Sequence, residues 1–165
     1  MLLRYWRLVT IVFTALSTSV AMCHLLELPA KVRLPGGEWV RLLQTLYPPA
    51  FGTVGAVFEV GAVVSALVLL ALVRSRPGFA WTFAAAGALV IMHMIFWIWI
   101  APVNAILGAA APATLPENWT ALRDQWEYSH ATRALLQVAA LSCLVWSVLI
   151  ETPRELDPTH RGARG

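Results

Sequence analysis

Charge is what this chain has least of. Of its 165 residues 13% are charged and 59% are hydrophobic, whereas a soluble domain carries about one-quarter charged residues. There is too little polar surface to cover a water-soluble fold, and the mean hydropathy of +0.68 points to a membrane. The formal charge of +3 comes from scattered arginines and not from a basic patch interleaved with aromatics, so a nucleic-acid footprint is missing.

Cysteine is nearly absent too. Cys23 and Cys143 make neither a CxxC spacing nor a disulfide framework, and they are expected as free thiols packed as small core residues. Other signatures are missing as well. Without HExxH or a repeated carboxylate-xx-His pair, the sequence predicts no metal site. It also lacks a glycine-rich phosphate loop and a nucleophile elbow.

What the chain does have is long apolar runs. Four blocks predict helices over about 5–27, 50–73, 79–101 and 117–150, each with an apolar part near the ~20 residues that cross a hydrocarbon core. The first run follows Arg4 and Arg7 and resembles a secretory signal segment. Met22 stands where cleavage wants a small residue, and removal would leave three helices, so the run is read as the first span. The expectation is an all-α, four-helix transmembrane bundle, up-down-up-down, forming a single domain over 1–151. Residues 152–165, rich in Pro, Gly and charge, are expected to be a disordered cytoplasmic tail.

Arg4, Arg7, Arg74, Arg76, Arg154, Arg161 and Arg164 fall on one side of this topology, against Lys31, Arg33, Arg41, Arg123 and Arg133 on the other. The positive-inside rule then predicts a multi-pass protein of the inner (cytoplasmic) membrane with both termini cytoplasmic.

Two outer segments carry pattern of their own. Trp39, Leu42, Leu43 and Leu46 recur at helical spacing opposite Glu38, Arg41 and Gln44, which predicts a short interfacial helix over about 37–47. Gly36-Gly37 and Pro48-Pro49 are its stops. After the start signals Thr114 and Pro116 there is no breaker until Pro153, so the fourth helix should be long and stand about three turns out of the bilayer.

An ionisable side chain at the centre of a membrane helix costs about 2.5 to 3.5 kcal/mol on insertion scales, so each needs a partner or a cavity. Glu59 lies roughly 15 Å deep, on a face with Gly52, Gly55, Ala56, Ala62 and Ala66 that allows close helix packing. It reads either as a protonated structural carboxyl or as a proton-handling, ligand-binding one. Trp126, His130, Arg133 and Gln137 step along one face of the fourth helix, with Arg133 the counter-ion expected for Glu59 or Glu27. His24 and Glu27 are neighbours on the first helix. His93 shares a side with Trp97 and, if the helix persists past Pro102, with Asn104. All four helices thus deliver polar groups to the outer half, while the remaining tryptophans suit aromatic belts.

The order Pro102-Val103-Asn104, Asn118-Trp119, Leu122-Arg123, Trp126-Glu127-Tyr128-Ser129-His130 and Arg133 resembles a domain-of-unknown-function family of small four-helix membrane proteins that includes the fungal anthrone oxygenases. His24-Leu25-Leu26-Glu27-Leu28-Pro29-Ala30-Lys31, followed by Gln44 and Tyr47, is similar to the first-loop pattern of its bacterial members. The resemblance covers nearly the whole chain. It implies a cofactor-free oxygenase acting on a lipophilic aromatic small molecule, with Asn104, Trp119, His130 and Arg133 at the site. In that scheme His130 is the base and Arg133 holds the enolate. The full candidate set is His130, Arg133 and Asn104 as catalytic, with His24, Glu27, Glu59, His93, Trp119, Trp126 and Gln137 binding the ligand. Two other readings stay open. One is a haem or redox membrane subunit built on His24, His93 and His130, and the other a non-enzymatic binding, transport or structural component with Glu59 and Arg133 as an ion pair.

Overall fold

A computed structural model describes residues 1–152, with Pro49 described in its backbone only. The tail expected over 152–165 therefore lies, apart from Thr152, outside the described residues. The helices are α1 (Leu2–Lys31), α2 (Gly36–Thr45), α3 (Ala56–Leu72), α4 (Phe79–Ile95), α5 (Ala101–Gly108) and α6 (Trp119–Leu149). Two π-helical stretches, Tyr47–Gly55 and Phe96–Ile100, run into α3 and out of α4. Four continuous spans, Leu2–Lys31, Ala50–Leu72, Phe79–Gly108 and Trp119–Leu149, are long and apolar enough to cross a membrane. The protein is an integral membrane protein with an all-α four-helix bundle.

In the bundle α1 packs on α3 and α6, and α4 packs on the same two helices, so the spans close into a ring of four. The end holding the described termini and the Arg74–Gly78 connection is called here the turn end, and the other the loop end. Alanines make the turn-end core: Ala62, Ala66, Ala85, Ala86 and Ala140 bury with Leu69, Leu89 and Leu144. Lipid tails are as apolar as leucine, so helices in a bilayer associate through close packing and not through expulsion of water. Gly61 shows how close the approach is, because a Cβ there would run into the Phe13 ring of α1.

Two ion pairs hold α1 against α6. Arg7 meets Glu151 at 2.6 Å and Lys31 meets Glu127 at 3.0 Å. Residues 7 to 31 in one strand of the pair and 127 to 151 in the other are equally far apart, about 36 Å at ~1.5 Å per residue. A hydrocarbon core of ~30 Å fits between the two.

Several local expectations need correction. The first helix continues through Pro29 to Lys31. The third span does persist past Pro102, to Gly108. The π-helical turn ends at Ile100, which puts Pro102 in the first turn of α5, where proline is tolerated. The first-loop helix is packed into the bundle rather than laid on its surface: Trp39, Val40 and Leu43 are buried, while Leu46 is exposed. Gln44, expected on its polar face, instead donates to the carbonyls of Leu107, Gly108 and Ala110 and so caps α5, whose last carbonyls have no helical partner. Cys143 is half-buried, but Cys23 is exposed and is not a core residue; both are free thiols.

Candidate functional site

Alanine packing stops about halfway along the bundle, and toward the loop end the helices enclose a cavity of about 550 Å³. Its walls are largely apolar and aromatic, with Leu43, Tyr47, Phe51, Phe96 and Trp126 among them. Eight of the ten candidate residues named from sequence line it: His24, Glu59, His93, Asn104, Trp126, His130, Arg133 and Gln137.

The α6 stripe faces inward over its whole length, with Trp126, His130, Arg133 and Gln137 all buried. Arg133 lies about 9 Å further into the membrane than Glu127 at ~1.5 Å per residue, so its charge needs neutralising. Its Nη2 pairs with Glu59 Oε2, its Nε donates to the Met92 carbonyl at 3.1 Å, and the guanidinium lies over the Phe96 ring. Of the two counter-ions weighed from sequence, the structure pairs it with Glu59.

Glu59 has a second partner, its Oε1 lying 2.8 Å from His93 Nδ1. Trp97 Nε1–H donates to the other ring nitrogen of His93 at 3.1 Å. Indole can only donate, so His93 Nε2 accepts and the ring proton sits on Nδ1, directed at Glu59. The neutral imidazole satisfies both contacts, and the group carries one negative charge on Glu59 against one positive charge on Arg133.

Arg133 Nη1 also donates to His130 Nδ1, at 3.4 Å, and by the same logic the His130 proton belongs on Nε2. His130 stacks on His24 with ring centroids 4.1 Å apart and on Trp126 at the same separation. Trp126 is fixed from the far side, its Nε1–H donating to Asn104 Oδ1 at 2.8 Å. Two buried polar atoms, His24 Nδ1 and Gln137 Oε1, have no partner in the protein. The Gln137 amide nitrogen faces the Met92 sulfur at 3.6 Å, a weak acceptor that orients the oxygen away from itself.

The other two candidates lie elsewhere. Glu27 accepts from the Tyr47 hydroxyl at 2.7 Å and stands 3.6 Å from Lys31, touching the cavity only through Tyr47. Trp119 lies outside it, beneath the Arg123 guanidinium. Burial foremost, then the hydrogen bond to Glu27 and the charges of Glu27, Glu127 and Cys23, push the Tyr47 phenol above its ordinary range, which keeps it a donor.

Sequence reasoning missed the roof of the site. Lys31 is buried between Glu127 and the rings of Tyr47 and Trp126, and Glu127 accepts at 2.8 Å from Trp39 Nε1. The i,i+4 pairing of Glu27 with Lys31 was the available signal, but charges at helix ends ordinarily face water. No family model, curated protein or solved structure matches the chain.

Proposed function

We propose that the cavity binds a lipophilic aromatic small molecule and supports a cofactor-free, oxygenase-like reaction on it. One observation carries this reading. An apolar chamber inside a membrane bundle holds a paired carboxylate and guanidinium beside two stacked histidines. A neutral imidazole can take the proton of an acidified C–H, leaving its electron pair as an enolate, and a preorganised cation and N–H donor stabilise that charge where little water competes. For an anthrone-like methylene, addition of O₂ to the carbanion and loss of water turn CH₂ into a carbonyl, with one O₂ consumed and one water released.

The hydrogen bonding divides the two histidines. His130 turns its ring lone pair toward Arg133 and presents Nε2–H, the better arrangement for holding an oxyanion. His24, with a ring nitrogen that no protein group meets, is the better base. The same two rings are tilted by 31° with centroids only 4.1 Å apart, which leaves no room between them for a metal held by both as axial ligands and favours the cofactor-free reading over a bis-histidine haem. In this proposal the turn end, with Arg4, Arg7, Arg74 and Arg76, faces the cytoplasm across the inner membrane. A reporter tag at the described N-terminus should be shielded from an externally added protease.

The test is oxygen uptake by the purified protein in lipid vesicles with anthrone as substrate. Uptake should fall about 100-fold or more in His24→Ala and in His130→Ala, the usual range for losing a general acid or base. Normal turnover by folded His130→Ala would refute the mechanism. Binding of anthrone without uptake would leave a carrier or a structural protein.

A further inference from the structure

Polar contacts cover the cavity toward the loop end, and most of its exposed lining belongs to the membrane spans. Its roof is a layer of polar contacts: Lys31 with Glu127, Trp39 with Glu127, Tyr47 with Glu27, and Gln44 across the end of α5. The exposed residues that line it are of a different kind. Pro48, Gly52, Ala56 and Val60 step by four along one rim, and Trp97 and Gly108 stand on the other. None carries a charge, and all but Pro48 belong to spans Ala50–Leu72 and Phe79–Gly108.

Each rim also includes part of a π-helical stretch, Pro48 and Gly52 in Tyr47–Gly55 on one side and Trp97 in Phe96–Ile100 on the other. Such widened turns interrupt the ordinary hydrogen-bond ladder and are often found at functional sites. Inside, Glu59 and Arg133 cancel, and His93 is neutral by its hydrogen bonds. A charged guest would therefore bring an uncompensated charge into a low-dielectric chamber. Gln137 Oε1 and His24 Nδ1, in side chains that are 1% and 5% exposed, add polar groups without protein partners.

We infer that the cavity is loaded sideways from the bilayer, through a slot between the two π-helical stretches, and that its ligand is an electrically neutral lipophile. This rests on the reading that the cavity takes a lipophile, but not on any chemistry done there. Gly52 and Ala56 on one side and Gly108 on the other keep the slot wide enough to pass a ring system between two helices. The roof stays shut because water has no part in loading.

Glycine makes the slot easy to plug. A Cβ at Gly52 would meet only the Tyr47 carbonyl, at 3.7 Å, and one at Gly108 would meet nothing within 4 Å. Gly52→Trp and Gly108→Trp should thus fold and fill the mouth, each serving as a check on the other. The probe is 3-(trifluoromethyl)-3-(m-iodophenyl)diazirine, a small neutral aromatic that dissolves in bilayers and labels what it touches when illuminated. Applied to the protein in phosphatidylcholine vesicles, it should label Phe51 and Phe96 inside the cavity as well as the exposed Leu135 and Val145. Either plug should remove most interior labelling and leave Leu135 and Val145 unchanged, while Gln44→Ala, which loosens the roof, should change neither. Excess naphthalene should compete at the interior positions and excess 2-naphthoate should not. Interior residues unlabelled in the wild type, or labelled equally in both plugged variants, would overturn lateral loading. Equal competition by naphthoate would overturn the neutrality of the ligand. Labelling needs no turnover, so a protein that takes up the probe but consumes no oxygen with anthrone fails only in the proposed reaction.

Discussion

The two ends of the bundle use the same four spans to opposite effect. At the turn end, alanines let the helices approach closely, and the acidic group found there among the described residues, Glu151, works at the boundary, where it meets Arg7, Arg76 and the Gly78 N–H. At the loop end, bulky aromatics and two π-helical stretches hold the helices apart. Charged groups there lie inside, as a Glu59–Arg133 pair beneath a Lys31–Glu127 roof. Close packing at one end fixes the frame within which the other can keep a cavity open.

The most severe way to break this contrast is to strand a charge at the loop end. Arg133→Leu leaves Glu59 without its cation and should cost about 3 to 5 kcal/mol, the usual penalty for removing one partner of a buried pair. Arg133→Leu with Glu59→Leu should recover most of it, as followed by unfolding in detergent micelles. A double variant as unstable as the single one would mean that the pair acts through packing and not through charge.

Smaller losses separate roof from frame. Trp39→Phe keeps an aromatic side chain but loses the five-membered ring with the N–H donated to Glu127, and should cost at least about 1.5 to 3 kcal/mol, the range for hydrogen bonds to charged groups. Ala66→Leu adds bulk where no space is left and should cost about 1 to 3 kcal/mol, whereas Ala56→Leu, on the exposed slot rim, should leave stability nearly unchanged. If both leucines were tolerated alike in the same unfolding assay, the turn end would not be close-packed.

The smallest expected effect is on pH. Burial raises the Glu151 carboxyl, but the Arg7 hydrogen bond, the Gly78 N–H and the charges of Arg7 and Arg76 together outweigh it and leave the group below its ordinary range. A carboxylate depressed in the folded state stabilises fully above its unfolded pKa and loses that contribution as pH falls through the lower, folded value. Thermal stability should therefore decline on acidification from neutral pH, and Glu151→Gln should flatten part of that decline while lowering stability at pH 7.

The spans were legible because a 20-residue apolar run admits few alternatives, and the α6 stripe because polar groups four and three apart cannot all face lipid. Glu59 announced its need for a partner by its depth, and the sequence narrowed that partner to one arginine facing two acids. The roof was hidden for the opposite reason: Lys31 ends α1 and Glu127 falls in the part of α6 expected to stand outside the bilayer, where a charge costs nothing if it meets water, so no local rule demanded that they find each other. The π-helical stretches were hidden too. Pro48-Pro49 reads as a stop, and only the packed bundle shows that the helix resumes with a widened turn. Trp119 entered the candidate set through resemblance alone, and the structure places it outside the cavity.

The equal spacing of the Arg7–Glu151 and Lys31–Glu127 pairs bears on how the protein is made. Both tie α1 to α6, so the Lys31–Glu127 pair must wait for the opening turns of α6 and the Arg7–Glu151 pair for the residues just past its end. Until then Lys31 has only Glu27 of its own helix to pair with, and α3 and α4 enclose no chamber between them. Registration of the bundle is thus late, and the binding site comes into being only once α6 joins the other spans.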